Sequence, residues 1–354
     1  MSENLFDQLT FEKVQRRDLD QLETVFAAAF GDEVDANQIK RRIHRAKQFY
    51  NILHPLSKFS IWIKNLFNIY VVKLVGQVAG FIQISYLNPT QVHIDYVAFS
   101  KNYRGQGLGS WVLGKLLDDL ADANNYDVVL EVGVDNPAYN FYRRFGFRRI
   151  TEIFHYGRQL PAGYTLPAAQ AAMLTGFREL RAQDRPRLYG LYLEAVPLLF
   201  RQVIKRSYGE FYPSMVVKSL ERLKNYLMRN KKSEYVLEQD GKIVALLTIS
   251  SYVKAKRHLL TLILHPAWED LRQPLVNKAI SLIVADNNQG TITTTIYGDN
   301  YSKQVTLERL GFRKNLVYHL MFRPSALKKK EMNRLPAAQG RPVLTCGKMQ
   351  RKLN

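Results

Sequence analysis

The stretch Ser100-Lys-Asn-Tyr-Arg104-Gly105-Gln106-Gly107-Leu108-Gly109-Ser110 follows a strand-like run, Gln91 to Phe99, and precedes a helical run from Trp111 to Ala121. A strand, a glycine-rich turn and a helix start form an anion site. The unpaired N–H groups of the first helical turn point at a phosphate, and the glycines let it come close. Arg104 and the loop amides are suited to hold a pyrophosphate. Two commoner phosphate loops are excluded. A dinucleotide fingerprint opened by Gly105 and Gly107 needs a third glycine where Ser110 stands, and no Gly-Lys-Ser/Thr follows to make a Walker loop. On the preceding strand, His93 and Asp95 sit at alternating positions and so share a face, where either could accept a proton from an attacking nucleophile.

Self-similarity organises the elements around this turn. Phe11-Glu-Lys-Val-Gln-Arg-Arg-Asp18 recurs as Phe177-Arg-Glu-Leu-Arg-Ala-Gln-Asp184 at an offset of 166 residues. The run from Tyr70 to Ser85 recurs from Tyr235 to Ser250, and Phe145-Gly-Phe-Arg148 recurs as Leu310-Gly-Phe-Arg313, both at an offset of 165. Offsets this consistent mark a duplicated unit. Each copy predicts a strand, a helical region opened by an aspartate cap, a hairpin turning at Gly76 or Gly241, another strand, a helix, a further strand, a short helix and a closing strand pair. The expected organisation is residues 7–160, a linker over 161–175 carrying Pro161, Gly163 and Pro167, a second copy over 176–326, and a basic tail over 327–354.

The turn resembles motif A of the GNAT acyltransferase superfamily, R/Q-x-x-G-x-G/A, met by Arg104, Gly107 and Gly109. The strand ending Val97-Ala98-Phe99 precedes it at that family's spacing. Glu131-Val-Gly-Val-Asp135-Asn136-Pro-Ala138-Tyr-Asn-Phe-Tyr142-Arg-Arg-Phe-Gly146-Phe147 is similar to the family's motif B. The resemblance covers about Phe11 to Gly157, and the repeat extends it to Phe177 to Arg323. It implies an α/β (α+β) chain of two tandem GNAT-type folds, each a mixed, mostly antiparallel sheet flanked by helices.

Carried over residue by residue, the resemblance implies an N-acetyltransferase with acetyl-CoA as cosubstrate, no metal, and a primary amine of unstated identity as acceptor. Val97, Ala98 and Phe99 would meet the pantetheine arm through main-chain groups. Arg104, Gly105, Gln106, Gly107, Leu108, Gly109 and Ser110 would cradle the pyrophosphate, and Asn136 and Ala138 would flank the thioester end. Tyr142 stands where many family members place a general acid for the departing thiolate. His93 lies near the place where histone-type relatives carry a glutamate base, and the His93/Asp95 spacing resembles the two histidines of arylalkylamine acetyltransferases. Glu131 is the reserve candidate for the base. The segment Lys40 to Trp62 is longer than the family's usual link and is the candidate acceptor-side lid.

In the second copy the anion turn is missing. Asp270, Gln273 and Leu275 stand opposite Arg104, Gly107 and Gly109, Pro274 falls inside the loop, and Leu307 stands opposite Tyr142. One intact and one degenerate copy make a layout similar to mycothiol synthase and to the Eis-type aminoglycoside acetyltransferases, in which the inert copy helps wall the acceptor cleft.

Composition narrows the remaining classes. With 46% hydrophobic and 23% charged residues, the 354-residue chain reads as globular and large enough for two domains. The opening MSENLFDQLT lacks the apolar core of a signal peptide, and Phe59 to Phe81 is too interrupted by Lys64, Lys73, Gly76 and Gly80 to span a membrane, so a cytoplasmic protein is expected. The one cysteine, Cys346, excludes an internal disulfide and a clustered-thiolate metal site. A net charge of +20, from 51 Lys+Arg against 31 Asp+Glu, attracts polyanions and keeps two alternatives open. One is a non-catalytic CoA- or nucleic-acid-binding protein on this fold, and the other is aminoacyl transfer from tRNA. Transfer from a different acyl-CoA also stays open.

Overall fold

A computed structural model describes residues 5–30, 68–161, 163–165, 174–286, 290–298 and 301–325. The candidate lid Lys40 to Trp62, Cys346, the basic tail and much of the linker fall outside the described residues.

The first half runs β1 (Leu9–Lys13), α1 (Leu19–Phe30), β2 (Ile69–Leu74), β3 (Gln77–Asn88), β4 (Gln91–Phe99), α2 (Leu108–Asn124), β5 (Asp127–Gly133), α3 (Ala138–Arg144) and β6 (Arg148–Leu160). The second half runs β7 (Phe177–Glu179), then four helices: α4 (Arg185–Ala195), α5 (Leu198–Val203), α6 (Tyr208–Phe211) and α7 (Met215–Met228). It continues with β8 (Asn230–Gln239), β9 (Lys242–Tyr252), β10 (Arg257–Leu264), α8 (Arg272–Ala285), β11 (Gly290–Tyr297), α9 (Tyr301–Arg309) and β12 (Arg313–Arg323). The β2–β3 and β8–β9 hairpins turn as the sequence predicts, with positive φ at Val75 and Gly76 and at Asp240 and Gly241. A tight hairpin needs that mirror-image turn to match the twist of its strands.

The twelve strands of the described residues join one sheet in the order β1-β2-β3-β4-β5-β12-β6-β11-β10-β9-β8-β7. Where a closing strand pair was expected in each half, each contributes one long strand, and the two are exchanged. β12 enters the first half's sheet beside β5, from Tyr318 opposite Gly133 to Arg323 opposite Val128. β6 lies beside β11 in the second half, from Leu160 opposite Gly290 to Ile153 opposite Tyr297. The two exchanged strands also pair with each other. Neither half therefore completes its sheet without the other.

One face of the sheet packs on α2 and α3. α2 aims Leu108, Val112, Leu113, Leu116, Leu117 and Leu120 inward at helical spacing, all nearly fully buried against Val92, Ile94, Val128 and Leu130. Burying each such leucine contributes about 1.5–3 kcal/mol. The opposite face carries α1 in the first half and α4 in the second.

Each half opens on a buried ion cluster, with the charges rearranged between them. Lys73 on β2 reaches Glu12 at 2.5 Å and the buried Asp18 at 2.8 Å. In the second half the cation moves to the first strand, where Arg178 reaches the buried Asp184 at 2.6 Å and Glu238 on β8 at 2.5 Å. Asp18 and Asp184 also accept the backbone N–H three residues upstream, from Gln15 at 2.9 Å and Arg181 at 2.8 Å. They tie the strand end to the helix start from the third position of a short turn, not as the N-caps the sequence suggested, because each carboxylate is taken by the amide upstream of it.

Candidate active site

The site is built where β4 and β5 part. They pair in parallel from Gln91 opposite Asp127 to Ile94 opposite Leu130, yet β4 continues to Phe99 and β5 to Gly133. Beyond Ile94 the inner edge of β4 has no strand beside it among the described residues, while the far edge of β5 is taken by the exchanged β12. The edge of β4 from Val97 to Phe99 thus faces a gap that runs from one face of the sheet to the other.

A bulge sets which side chains meet each face. Between Tyr96 opposite Gln83 and Ile94 opposite Ile84, Asp95 has no partner on β3. The extra residue shifts the alternation. Val92 and Ile94 pack on the α2 side, and after the bulge so do Val97 and Phe99, while Tyr96 and Ala98 turn to the α1 side.

His93 and Asp95 are brought together. His93 Nδ1 lies 2.7 Å from one Asp95 oxygen, and the other accepts the Ser85 hydroxyl at 2.5 Å. Burial alone would push the His93 imidazole down, but the Asp95 hydrogen bond and the charges of Asp95 and Glu131 outweigh it, so it titrates above its ordinary 6.5. Ser85 carried no chemical signal in the sequence. Its place opposite His93 in the β3–β4 hairpin is what recruits it.

The glycine turn takes the expected shape. Gly105 and Gly107 adopt φ of 78° and 82°, a left-handed conformation that other residues enter only at a cost. α2 starts at Leu108, and the Ser110 and Trp111 N–H groups return to the Gly107 carbonyl at 2.9 and 3.1 Å. Ser110 thus offers an anion its hydroxyl but not its amide. Arg104 donates through Nε to the Phe99 carbonyl at 3.1 Å, which removes one of the main-chain groups expected to face pantetheine. The Gln106 side chain folds back onto the Asn102 carbonyl at 2.8 Å.

Phe99 locks this turn to the sheet. A side chain at Gly80 would overlap its ring, so this glycine keeps room for it, while one at Gly109 would meet it in ordinary contact at 3.7 Å. The contact with Gly80 is a packing role the sequence did not signal.

On α3, the Asn136 side chain accepts the Ala138 N–H at 2.9 Å and so opens the helix. Tyr142 is buried among Phe141, Phe147 and the α2 core, and that burial raises its phenol to about 12. Tyr142 and the His93–Asp95 pair therefore lie on opposite faces of the sheet, on either side of the gap. Glu131 shares the His93 face and lies 3.9 Å from His155 on β6. β12 adds Tyr318, whose ring packs edge-on against His155, and on the other face His319, which packs against Tyr139.

The second half also braces the base of this site. Gln91 donates to the Val203 carbonyl, Asn88 reaches the Lys205 carbonyl at 3.1 Å, and Lys205 pairs with the buried Asp127 at 2.6 Å. Among the described residues, no group of three or more His, Cys, Asp or Glu is placed to hold a metal ion, and no helix is long and apolar enough to cross a membrane.

Comparison with solved structures decides the architecture. A GCN5-related N-acetyltransferase from Sphaerobacter thermophilus superposes with a TM-score of 0.61 at 14% identity, over 91% of this chain and 97% of that one. This chain has the GNAT fold. A tandem GNAT protein from the clavulanic acid biosynthesis pathway superposes with a TM-score of 0.55 at 12% identity, over 89% of this chain and 98% of that one. In sequence, residues 38–147 match the acetyltransferase (GNAT) family, so the GNAT domain matched lies in the first half. A 65-residue stretch is 37% identical to N-alpha-acetyltransferase 30 of Schizosaccharomyces pombe, covering 18% of this chain and 43% of that protein. The chain spans less than half the length of each curated relative it matches.

Proposed function

We propose that this protein is an N-acetyltransferase that moves an acetyl group from acetyl-CoA to a primary amine in one ternary complex, using the first half alone for chemistry. The observation that carries the reading is the conjunction at β4. A glycine turn with bare helix-start amides lies at one end of the strand, a gap between β4 and β5 lies beside it, and a hydrogen-bonded His93–Asp95 pair faces the far side.

In this reading the turn from Arg104 to Gly109 holds the pyrophosphate, and the free edge of β4 aligns the pantetheine arm. The amine nitrogen attacks the thioester carbonyl from the His93 face. Its proton passes to His93 Nε2, directly or through water, because Nδ1 is engaged by Asp95. The carbon–sulfur bond breaks, and the sulfur takes the Tyr142 proton. A phenol raised to about 12 stays protonated at neutral pH and so can donate.

The second half keeps the parting of its strands, β10 from β11 after Leu260, but not the glycine turn or the proton-transfer residues. In the strand register, Leu259 and Thr261 on β10 stand where His93 and Asp95 stand on β4, and Leu307 takes the Tyr142 position. We assign it the role of wall and brace, through Phe200 to Lys205 and the exchanged β12. The single cysteine suits a reducing compartment such as the cytosol.

The test is to screen primary amines with acetyl-CoA and longer acyl-CoAs while following free thiol, with wild type, Tyr142→Phe and Gly107→Val side by side. Acetyl-CoA-dependent thiol release that falls in both variants supports the reading. Release indifferent to both variants overturns it.

A further inference from the structure

The second half contains a cavity of about 770 Å³ that acetyl transfer does not use. Thr248 on β9 and Thr261 on β10 form part of its floor, and α7 covers it. Thr261 occupies the register position that Asp95 holds on β4, because Arg257 opposite Thr291 and Gln91 opposite Asp127 begin equivalent parallel pairings. The cavity is therefore the second half's counterpart of the acceptor face, open although the glycine turn and proton-transfer residues are missing. It lies five strands from β4, roughly 24 Å at ordinary strand spacing, so a small molecule in it does not touch the reacting atoms.

α7 gives the cavity a largely polar wall. A helix that only covers a core points its apolar residues inward. Here α7 presents Lys218, Glu221, Arg222 and Asn225 to the cavity beside a single described apolar residue, Val217, while Met215 and Tyr226 are 73% and 82% exposed. Such a lining is suited to polar contents.

The charge of the lining selects the contents. Five cations meet three carboxylates around the cavity. Glu234 is shared by Arg185 at 2.7 Å and Lys232 at 3.1 Å, and Glu210 takes Arg206 at 3.1 Å. Lys218 instead lies 5.5 Å from the Tyr212 ring centre, and among the described residues neither it nor Arg222 forms an ion pair with a carboxylate. We infer that this cavity is a second ligand site, which takes a small organic anion through its phosphate or carboxylate group. Lys218 and Arg222 recognise the charge, and the hydroxyls of Thr248 and Thr261 serve the polar remainder. The fork of an arginine beside a lysine is the ordinary recipe for such groups.

The test uses the full chain and calorimetric titration with inorganic phosphate and with citrate, against sodium chloride at matched ionic strength. It compares wild type, Lys218→Ala/Arg222→Ala and Gly107→Val. The expected result is saturable binding of at least one of the two anions, with a matching rise in Tm, that weakens about tenfold or more in the double variant and persists in Gly107→Val. The Tm without ligand shows whether the double variant folds, and Lys218→Gln and Arg222→Gln singly replace it where it does not. Responses no greater than chloride's, or binding undiminished by these changes, overturn the inference. So does binding lost only in Gly107→Val, which would place the anion on the coenzyme turn.

Discussion

His93 Nδ1 sits 2.7 Å from Asp95, whose second oxygen is held by Ser85 at 2.5 Å. This chain fixes the imidazole with one nitrogen toward the carboxylate and the other free to accept a proton. Because Asp95 and Glu131 hold His93 above 6.5, and a base works only when neutral, kcat/KM should fall on the acid side through a pKa above that value. Asp95→Asn removes the charge that raises it. The acid limb of the pH–rate profile should move to lower pH, while Ser85→Ala should shift it less. The same sign governs stability: a raised histidine stabilises the fold at low pH, and that contribution is lost as pH climbs through its folded pKa.

Tyr142→Phe keeps the ring in its cluster with Phe141 and Phe147, so the fold should hold. Losing the proton donor should lower kcat by about 100-fold or more with little change in KM for acetyl-CoA. Steady-state kinetics with free-thiol detection separates the two parameters.

Gly107→Val places a β-branched residue at φ 82° and turns its side chain toward Phe6, 3.5 Å away. The left-handed backbone should cost about 1–2 kcal/mol and widen the turn. KM for acetyl-CoA should rise at least tenfold, with direct binding measured by calorimetry as the check.

The strand exchange makes its own demand. Ending the chain at Phe312 deletes β12, removes none of the proposed catalytic residues, and leaves β5 and β6 with open edges. Activity assigned to the first half should nevertheless vanish, and the protein should aggregate, as gel filtration and thiol release would report.

Asp184 is fully buried, and Arg178 holds its carboxyl well below the usual range, helped by the Arg181 amide and Arg187 against the burial that opposes them. A depressed carboxylate stabilises the fold above its unfolded pKa and loses that contribution as pH falls below about 4. Asp184→Ala should leave Arg178 with Glu238 alone and the Arg181 amide without its acceptor, and cost about 1–3 kcal/mol, read from urea unfolding.

Much of this was legible in the residues. The turn from Arg104 to Gly109 announces itself because left-handed backbone and close phosphate approach require glycine, and the hairpins at Gly76 and Gly241 do so for the same reason. His93 and Asp95 could be placed on one face, although the bulge that isolates Asp95 could not. A bulge is a decision between two strands, and only their joint register reveals it. The exchange of β6 and β12 was hidden on the same ground: equivalent strands at an offset of 165 carry equivalent patterns, and nothing local says which sheet each completes. Ser85 and Gly80 escaped notice because their roles exist only across the hairpin. Glu131, the reserve base, shares the face of His93, a placement that its own strand could not reveal without the register to β4.

Acetyl transfer in the first half requires the coenzyme to lie on the glycine turn. A crystal structure of the full chain with acetyl-CoA should show the pyrophosphate on the amides between Gly105 and Gly109, with the thioester in the gap between β4 and β5. Coenzyme bound in the second half, or a well-occupied ligand that leaves this turn untouched, would contradict it.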